Sequence, residues 1–288
     1  MGDVHHFTYG LVTPGVAYAL SVMGSVLGLI CTARLRTATT NGQRWWWLSL
    51  AAFALGGTGI WAMHFMAMLG FTVSGTLIRY DMLRTLISAL TAVVVVGLGI
   101  YIAGFGRTSA PRILIGGLLT GVGVAGMHYT GMFAMNMDGV VHYDQGLVVA
   151  SVVIAVVAAT VALYFTVKLS RPLAIAGAAV LMGVAVCGMH YTGMAAMSVE
   201  LTHPTLTVPG ATASTLLVPI GILVLLVIGG LIYAIGAAPS QEDLAARAYL
   251  DKIQAAREEA AAATAAAEAG AQQRGTLRRP TAVPPRNR

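Results

Sequence analysis

The sequence has little charge and almost no cysteine. Asp, Glu, Lys and Arg make up 10% of its 288 residues, whereas 57% are hydrophobic and the mean hydropathy is +0.77. Soluble globular proteins carry roughly 25% charged residues, so this composition excludes an ordinary water-soluble fold. The two cysteines, Cys31 and Cys187, are too few to build a disulfide framework.

Charge is missing altogether from seven long stretches. They are Val4–Ala33, Trp45–Ile78, Thr85–Gly106, Ile113–Met137, Gln145–Val167, Pro172–Val199 and Leu201–Gln241. Each reaches the length of about 20 residues that a helix needs to cross the hydrocarbon core of a bilayer. We therefore predict an all-α, polytopic membrane protein with seven transmembrane helices. Their approximate bounds are 11–33, 45–69, 82–104, 112–136, 146–168, 172–198 and 214–237.

Lysine and arginine are concentrated at one end of the predicted helices. Of the 17 such residues, 15 fall on that side, either in its loops or beyond residue 237. The loop residues are Arg34, Arg36, Arg44, Arg107, Arg112, Lys168 and Arg171. Basic loops stay in the cytoplasm, so we predict a cytoplasmic-membrane protein with its N-terminus outside and its C-terminus inside. This distribution explains the net charge of +6 without a nucleic-acid-binding patch.

One sequence pattern occurs three times, at Gly59–Met68, Gly123–Met132 and Ala185–Met194. His64, His128 and His190 occupy corresponding positions in the three copies. Their spacing of 64 and then 62 residues fits a repeat of two spans, so the copies enter the membrane in the same direction. At about 1.5 Å per residue, all three histidines are predicted to lie at a similar depth near the outer face.

The repeated pattern combines imidazole with thioether sulfur. Residues four apart share a helix face, and the pairs in question are His64 with Met68, His128 with Met132, and His190 with Met194. Met135 and Met197 extend this stripe, whereas Met63, Met127 and Met189 immediately precede the histidines and point about 100° away. Imidazole suits several transition metals and thioethers favour Cu(I), while the lack of carboxylates inside the helices disfavours calcium or magnesium.

These residues predict a metal site whose best-suited ion is copper. The candidate ligands are His64, His128, His190, Met68, Met132, Met194, Met63, Met127 and Met189. Cys187, three residues before His190, is a further soft candidate. The structural alternative is that the methionines only fill space and that each histidine hydrogen-bonds a neighbouring helix, assisted by Thr130 or Thr192.

The same residues are compatible with two other functions. A copper or small-solute transporter is one, although transporters commonly place polar sites at the midplane, where this sequence has no charge. A haem or redox membrane protein with His/Met axial ligands is the other. The sequence contains no nucleophile–base pair and no nucleotide fingerprint, so we predict no catalytic residues and no enzymatic activity.

Two copies of the pattern spell Met-His-Tyr-Thr, at Met127–Thr130 and Met189–Thr192. The chain resembles, over about residues 5–237, the MHYT domain of bacterial integral-membrane sensors, which carries three such motifs. The resemblance implies a sensor that holds copper near the outer face and responds to oxygen, carbon monoxide or nitric oxide. The motif positions carried over are Met63, His64, Met68, Met127, His128, Tyr129, Thr130, Met132, Met189, His190, Tyr191, Thr192 and Met194. Phe65 and Met66 depart from the motif and receive no ligand role.

We divide the chain into a sensor domain, residues 1–237, and a cytoplasmic tail, residues 238–288. The tail is predicted to be an alanine-rich helix over about 241–273, followed by a basic, disordered end. About 50 residues are too few for a catalytic output domain. The tail's expected contacts are anionic lipid or, as the alternative, a separate cytoplasmic signalling protein.

Overall fold

The computed structural model describes residues 3–202, 208–237, 245–246 and 249–263. Within this part of the chain, seven helices are long and apolar enough to cross a membrane. They are α1 (Val12–Thr37), α2 (Asn41–Met68), α3 (Met82–Gly104), α4 (Ala110–Phe133), α5 (Gln145–Lys168), α6 (Pro172–Ala195) and α7 (Ala213–Ala237). This confirms the predicted seven-span, all-α architecture.

The helix ends differ from the prediction at the basic residues. Helix α1 continues to Thr37 and α2 begins at Asn41. Arg34, Arg36 and Arg44 therefore belong to helical turns and not to a loop, as do Arg112 and Lys168. Thr40 accounts for the early start of α2, because its hydroxyl accepts a hydrogen bond from the backbone N–H of Gln43 at 3.2 Å and so caps the helix.

Helices α1 to α6 form a closed ring in chain order, because α6 packs against α1. Helix α7 packs only sparsely on this ring among the described residues, and it buries Leu216, Ile228 and Leu231. Beyond α7, residues 249–263 are helical. The basic segment at 274–288 lies outside the described residues.

Three short antiparallel ladders, which the sequence analysis did not predict, join the helix ends at one side of the ring. The strands are β1 (Val4–His5), β2 (Thr72–Val73), β3 (Arg79–Tyr80), β4 (Met135–Asn136), β5 (Gly139–Tyr143) and β6 (Met197–Leu201). Strand β1 pairs with β2, β3 with β4, and β5 with β6. Each repeat is therefore one strand–helix–helix–strand unit. We call this side the ladder end and the opposite, basic side the arginine end.

Hydrogen-bonding side chains fix the helix ends on both sides. At the ladder end, Asp81 and Asp144 accept backbone N–H bonds of 2.9 Å in the first turns of α3 and α5. At the arginine end, Arg36 of α1 donates to the carbonyl groups of Thr166 and Leu169, where α5 ends. Basic residues that indicated topology in the sequence thus also satisfy exposed helix-end carbonyls.

The second span contains a π-helical segment, Phe53–Ala62, directly before the first motif. Here the backbones of α1 and α2 are in direct contact at Gly24. A Cβ added to Gly24 would overlap Gly59 and the carbonyl oxygen of Ala54. Wide π turns are rare and frequently occur at functional sites. In this chain the segment sets the rotation of the following turn, Met63–Met68.

We expect Gly24→Ala to lower the midpoint of thermal unfolding in detergent, because the added methyl group meets backbone that cannot move aside. Overpacking of this kind costs about 1–3 kcal/mol. Gly15→Ala on the same helix is the matched control, since nothing lies within 4 Å of its added Cβ. Circular dichroism follows the unfolding. Equal midpoints for the two variants would contradict the close contact between α1 and α2.

Candidate functional site

Three buried histidines meet inside the ring near the ladder end. His64, His128 and His190 lie four or five residues before the ends of α2, α4 and α6, and their exposed fractions are 2%, 0% and 1%. The even-numbered helices reach this position because each unit repeats the same hairpin geometry. The similar depth predicted from the repeat spacing is therefore present in the structure, and we call these residues the histidine trio.

The trio is nearly symmetric and converges through one type of atom. Nδ1 of His64 lies 2.9 Å from Nδ1 of His190 and 3.1 Å from Nδ1 of His128. The ring centroids are 4.9, 5.0 and 5.1 Å apart, with interplanar angles between 69° and 87°. Among the described residues, these three side chains form a group whose potential ligand atoms all lie within 4.8 Å of one another.

Both short contacts of the His64 ring lie within hydrogen-bonding distance, and the tautomers of the three rings decide which nitrogen donates. A neutral imidazole has one N–H donor and one lone-pair acceptor in the ring plane. The Nδ1 atom of His64 faces two others, so at most one of its two contacts is a linear hydrogen bond. Three protonated Nδ1 atoms would clash, and three unprotonated ones would direct their lone pairs at each other.

Small residues fix the orientation of the rings. Gly131 packs against Nε2 of His64, and Gly193 packs against Nε2 of His128; a Cβ at either glycine would overlap the imidazole. Neither Nε2 atom has a hydrogen-bond partner among the described residues. Gly131 follows His128 by three residues, and Gly193 follows His190 by three residues. Each ring is therefore packed against a glycine from the next repeat. The sequence carried a signal for this packing, since Ala67 is the corresponding small residue in the first repeat, but the sequence analysis did not use it.

Five methionines cover the ladder side of the trio. The methionine cluster consists of Met68, Met132, Met135, Met194 and Met197, which are packed together with Phe65 and Tyr80. The first-turn members, Met68, Met132 and Met194, have exposed fractions of 1–2%. Because they stand four residues after the histidines, they form the layer one helical turn nearer the ladder end.

The methionines that precede the histidines lie elsewhere. Met63 packs with Ala17 and Ala67 in a separate buried cluster, and Met189 lines an apolar cavity inside the ring. Met127 is fully buried. Cys187 packs beside the Met63 cluster and is not a member of the described group of convergent ligand atoms. The structure therefore does not support Cys187 as a ligand of the trio.

The motif hydroxyl groups do not assist the histidines. Thr130 and Thr192 donate to the carbonyl oxygens of Gly126 and Gly188, four residues earlier on their own helices, at 2.7 Å. These intrahelical bonds do not support the alternative in which Thr130 or Thr192 assists the histidines. Tyr129 instead links α4 to α5 through a 2.7 Å bond with Ser151.

The other described histidines lie outside the trio. His5 is 3.4 Å from Asp3 and His142 is 3.3 Å from Glu200, and both pairs are exposed. His6 stacks near Phe71, with ring centroids 5.5 Å apart, and partial burial lowers its pKa. His203 lies outside the described residues.

We expect Gly131→Ala and Gly193→Ala to reduce the free energy of unfolding by about 1–3 kcal/mol, because each methyl group displaces a trio ring. Gly126→Ala and Gly188→Ala, on the same two helices, are matched controls with no atom within 4 Å of the added Cβ. Titration of helicity with sodium dodecyl sulfate measures the difference. Controls as unstable as the test variants would show that the glycines do not act through the rings.

Comparison with known proteins places this geometry in a family. The MHYT family, described as "Bacterial signalling protein N terminal repeat", matches residues 57–116, 121–179 and 183–247. No solved structure matches the chain.

Three curated relatives are similar over most of this chain. The bifunctional diguanylate cyclase/cyclic di-GMP phosphodiesterase MucR of Pseudomonas aeruginosa is 37% identical over 67% of the chain and 29% of its own length. The cyclic di-GMP phosphodiesterase NbdA of the same species is 34% identical over 66% of the chain and 24% of its own length. An uncharacterized signaling protein of Caulobacter vibrioides is 32% identical over 83% of the chain and 29% of its own length.

The chain thus spans less than a third of the length of these relatives, and the activities in their names are those of the longer proteins. Each of the three family matches contains one histidine of the trio. On this basis the chain belongs to the MHYT family of bacterial membrane signalling proteins.

Proposed function

We propose that this chain is a membrane sensor domain that binds one copper ion between His64, His128 and His190. The observation that supports the proposal is the convergence of three buried Nδ1 atoms from three different helices. Membership in a family of signalling proteins supports the sensor role. Enzymatic output would come from another polypeptide segment or a separate protein, since the predicted ligands form no nucleophile–base pair.

The distances fit a shared metal ion. Transition-metal–imidazole bonds are about 2.0–2.1 Å long. Three nitrogens around one ion at trigonal to tetrahedral angles would then be roughly 3.3–3.6 Å apart. The observed separations of 2.9 and 3.1 Å are a few tenths of an ångström shorter. Binding therefore requires a small outward movement of the rings and no rearrangement of the helices.

The lack of negative charge favours a monovalent, soft ion. Among the described residues, no Asp or Glu joins the convergent group. The solvation penalty for burying an ion grows with the square of its charge, so an uncompensated divalent ion is far more costly than Cu(I). Thioethers also prefer Cu(I), and the methionine cluster lies one turn from the trio on the ladder side.

A pocket at the ladder end adjoins the methionine cluster. It has a volume of about 440 Å³ and is lined by residues that include Arg84, Asp138 and Tyr143. Met132, Met135 and Met137 also line it, so thioethers extend from the pocket towards the buried trio. Under the predicted topology this end faces the outside of the cell, where the ion would enter.

Sensing would follow from the different geometries of the two copper oxidation states. Cu(II) prefers tetragonal coordination, which a threefold histidine site does not offer. Oxidation, or binding of a diatomic molecule such as oxygen, carbon monoxide or nitric oxide, would change the positions of the three ligands. Because each ligand belongs to a different even-numbered helix, the ligand shift biases the helix arrangement by its differential affinity.

We expect purified wild-type protein loaded with Cu(I) to retain one copper ion per chain, and the His64/His128/His190→Ala triple variant to retain none. His142→Ala is the control, because that histidine is exposed and lies outside the trio. Metal analysis combined with an absorption spectrum gives the readout. Equal copper in the triple variant would refute the site, and iron with a Soret band would favour the haem alternative.

Two triple methionine variants separate the candidate thioether ligands. Met68/Met132/Met194→Leu should weaken Cu(I) binding by about 10–100-fold, the range typical of residues that support a metal site. Met63/Met127/Met189→Leu should leave the affinity unchanged, since at least Met63 and Met189 pack away from the methionine cluster. Competition with a chromogenic Cu(I) chelator measures both affinities. If the second variant binds Cu(I) more weakly than the first, the thioether ligands are Met63, Met127 and Met189 instead.

A further inference from the structure

A second cavity lies inside the ring on the arginine side of the trio. Its volume is about 390 Å³, and all six ring helices contribute to its wall. The hydroxyl groups of Thr120 and Thr166, which line it, donate to the backbone carbonyls of Val95 and Leu163. The surface offered to an occupant is therefore almost entirely hydrocarbon, and a cavity of this kind excludes water. We call it the apolar chamber.

The chamber extends along α5. Its wall on α5 runs from Val153 to Thr166, which is roughly 20 Å along the helix at about 1.5 Å per residue. A run of this length accommodates an extended hydrocarbon chain. A diatomic molecule would leave most of this space unfilled.

The chamber reaches the lipid-facing surface along α5 and α6. Val153, Val157 and Leu181 line it and are also 53–58% exposed on the outside of the ring. Between them, Ala155 and Ala159 are small and buried, and they form part of the inner wall. The chamber is therefore bounded both by buried residues and by residues that face outward from the ring.

We propose that the apolar chamber binds the acyl chain of a membrane lipid. Lipid tails are as apolar as the lining, so the driving force is dispersion contact with wall atoms that otherwise have no partner. A polar headgroup finds no hydrogen-bonding group inside and stays at the interface. The inner end of the chain would contact Met189, which precedes His190 of the trio.

Photocrosslinking in nanodiscs tests this site independently of copper. The probe is a phosphatidylcholine with a diazirine in the middle of one acyl chain. After irradiation and peptide mass spectrometry, we expect label on Ala155, Ala159 or Met182, whose exposed fractions are 3%, 9% and 8%. Label on outward residues of α5, such as Val149, reports bulk lipid and serves as the internal reference.

Filling the chamber should remove the inner label. Ala155→Phe combined with Ala159→Phe should abolish labelling of Met182 while labelling of Val149 persists. Ala176→Phe on the exposed surface of α6 is the matched control. In this variant, Met182 and Val149 should be labelled as in the wild-type protein. If the double variant does not fold, Ala159→Leu adds less volume and should still reduce the inner label.

The proposal is overturned if the inner residues of wild-type protein remain unlabelled, or if their label survives when the chamber is filled. Xenon binding in the chamber without any chain crosslink would likewise overturn it in favour of a small gas. Copper content plays no part in these readouts, so loss of the metal proposal would leave the test intact.

Discussion

Three buried imidazole rings, joined by Nδ1 contacts of 2.9 and 3.1 Å at His64, constrain the whole ladder end of this protein. Each nitrogen comes from a different repeat, so their convergence requires all three hairpins to have nearly the same geometry. The ring closure between α1 and α6, the three strand ladders and the small residues at Gly131 and Gly193 all serve this requirement. Buried polar groups without partners are costly, and the proposed copper ion would give each Nδ1 lone pair a partner.

The trio separates two different environments. On the ladder side, the methionine cluster offers polarizable sulfur and adjoins a polar pocket. On the arginine side, the apolar chamber offers hydrocarbon and opens towards lipid. Under the two proposals, a soft cation would approach from the ladder side, and an acyl chain would occupy the arginine side. Both environments touch residues next to the trio in the chain, so either occupant acts on the same helices.

Much of this arrangement could be predicted from the sequence, because repeats and hydropathy are local patterns. The seven spans, the shared histidine depth and the orientation of Met68, Met132 and Met194 follow from helical periodicity and spacing. What spacing does not contain is rotation about each helix axis in three dimensions. The π-helical segment Phe53–Ala62 alters that rotation, and no residue pattern in the first motif announced it.

Other features depend on contacts between distant segments. The two-residue strands at Val4–His5 and Arg79–Tyr80 exist only because their partners lie beside them in the folded unit, and neither has a strand-like run in the sequence. One alternative gave Thr130 and Thr192 a part in assisting the histidines, although a threonine in a helix readily bonds the carbonyl four residues earlier. The arginines were interpreted only through topology, yet Arg36 joins two helices that are 130 residues apart in sequence.

The most direct test of the central claim is X-ray absorption at the copper K-edge on copper-loaded protein. If the three Nδ1 atoms share one ion, the spectrum contains multiple-scattering features of three imidazoles at about 2.0 Å, and these decline together when a single trio histidine is replaced. A spectrum with one imidazole or none, or one that is unchanged by the replacement, would contradict a shared ion at the centre of the ring.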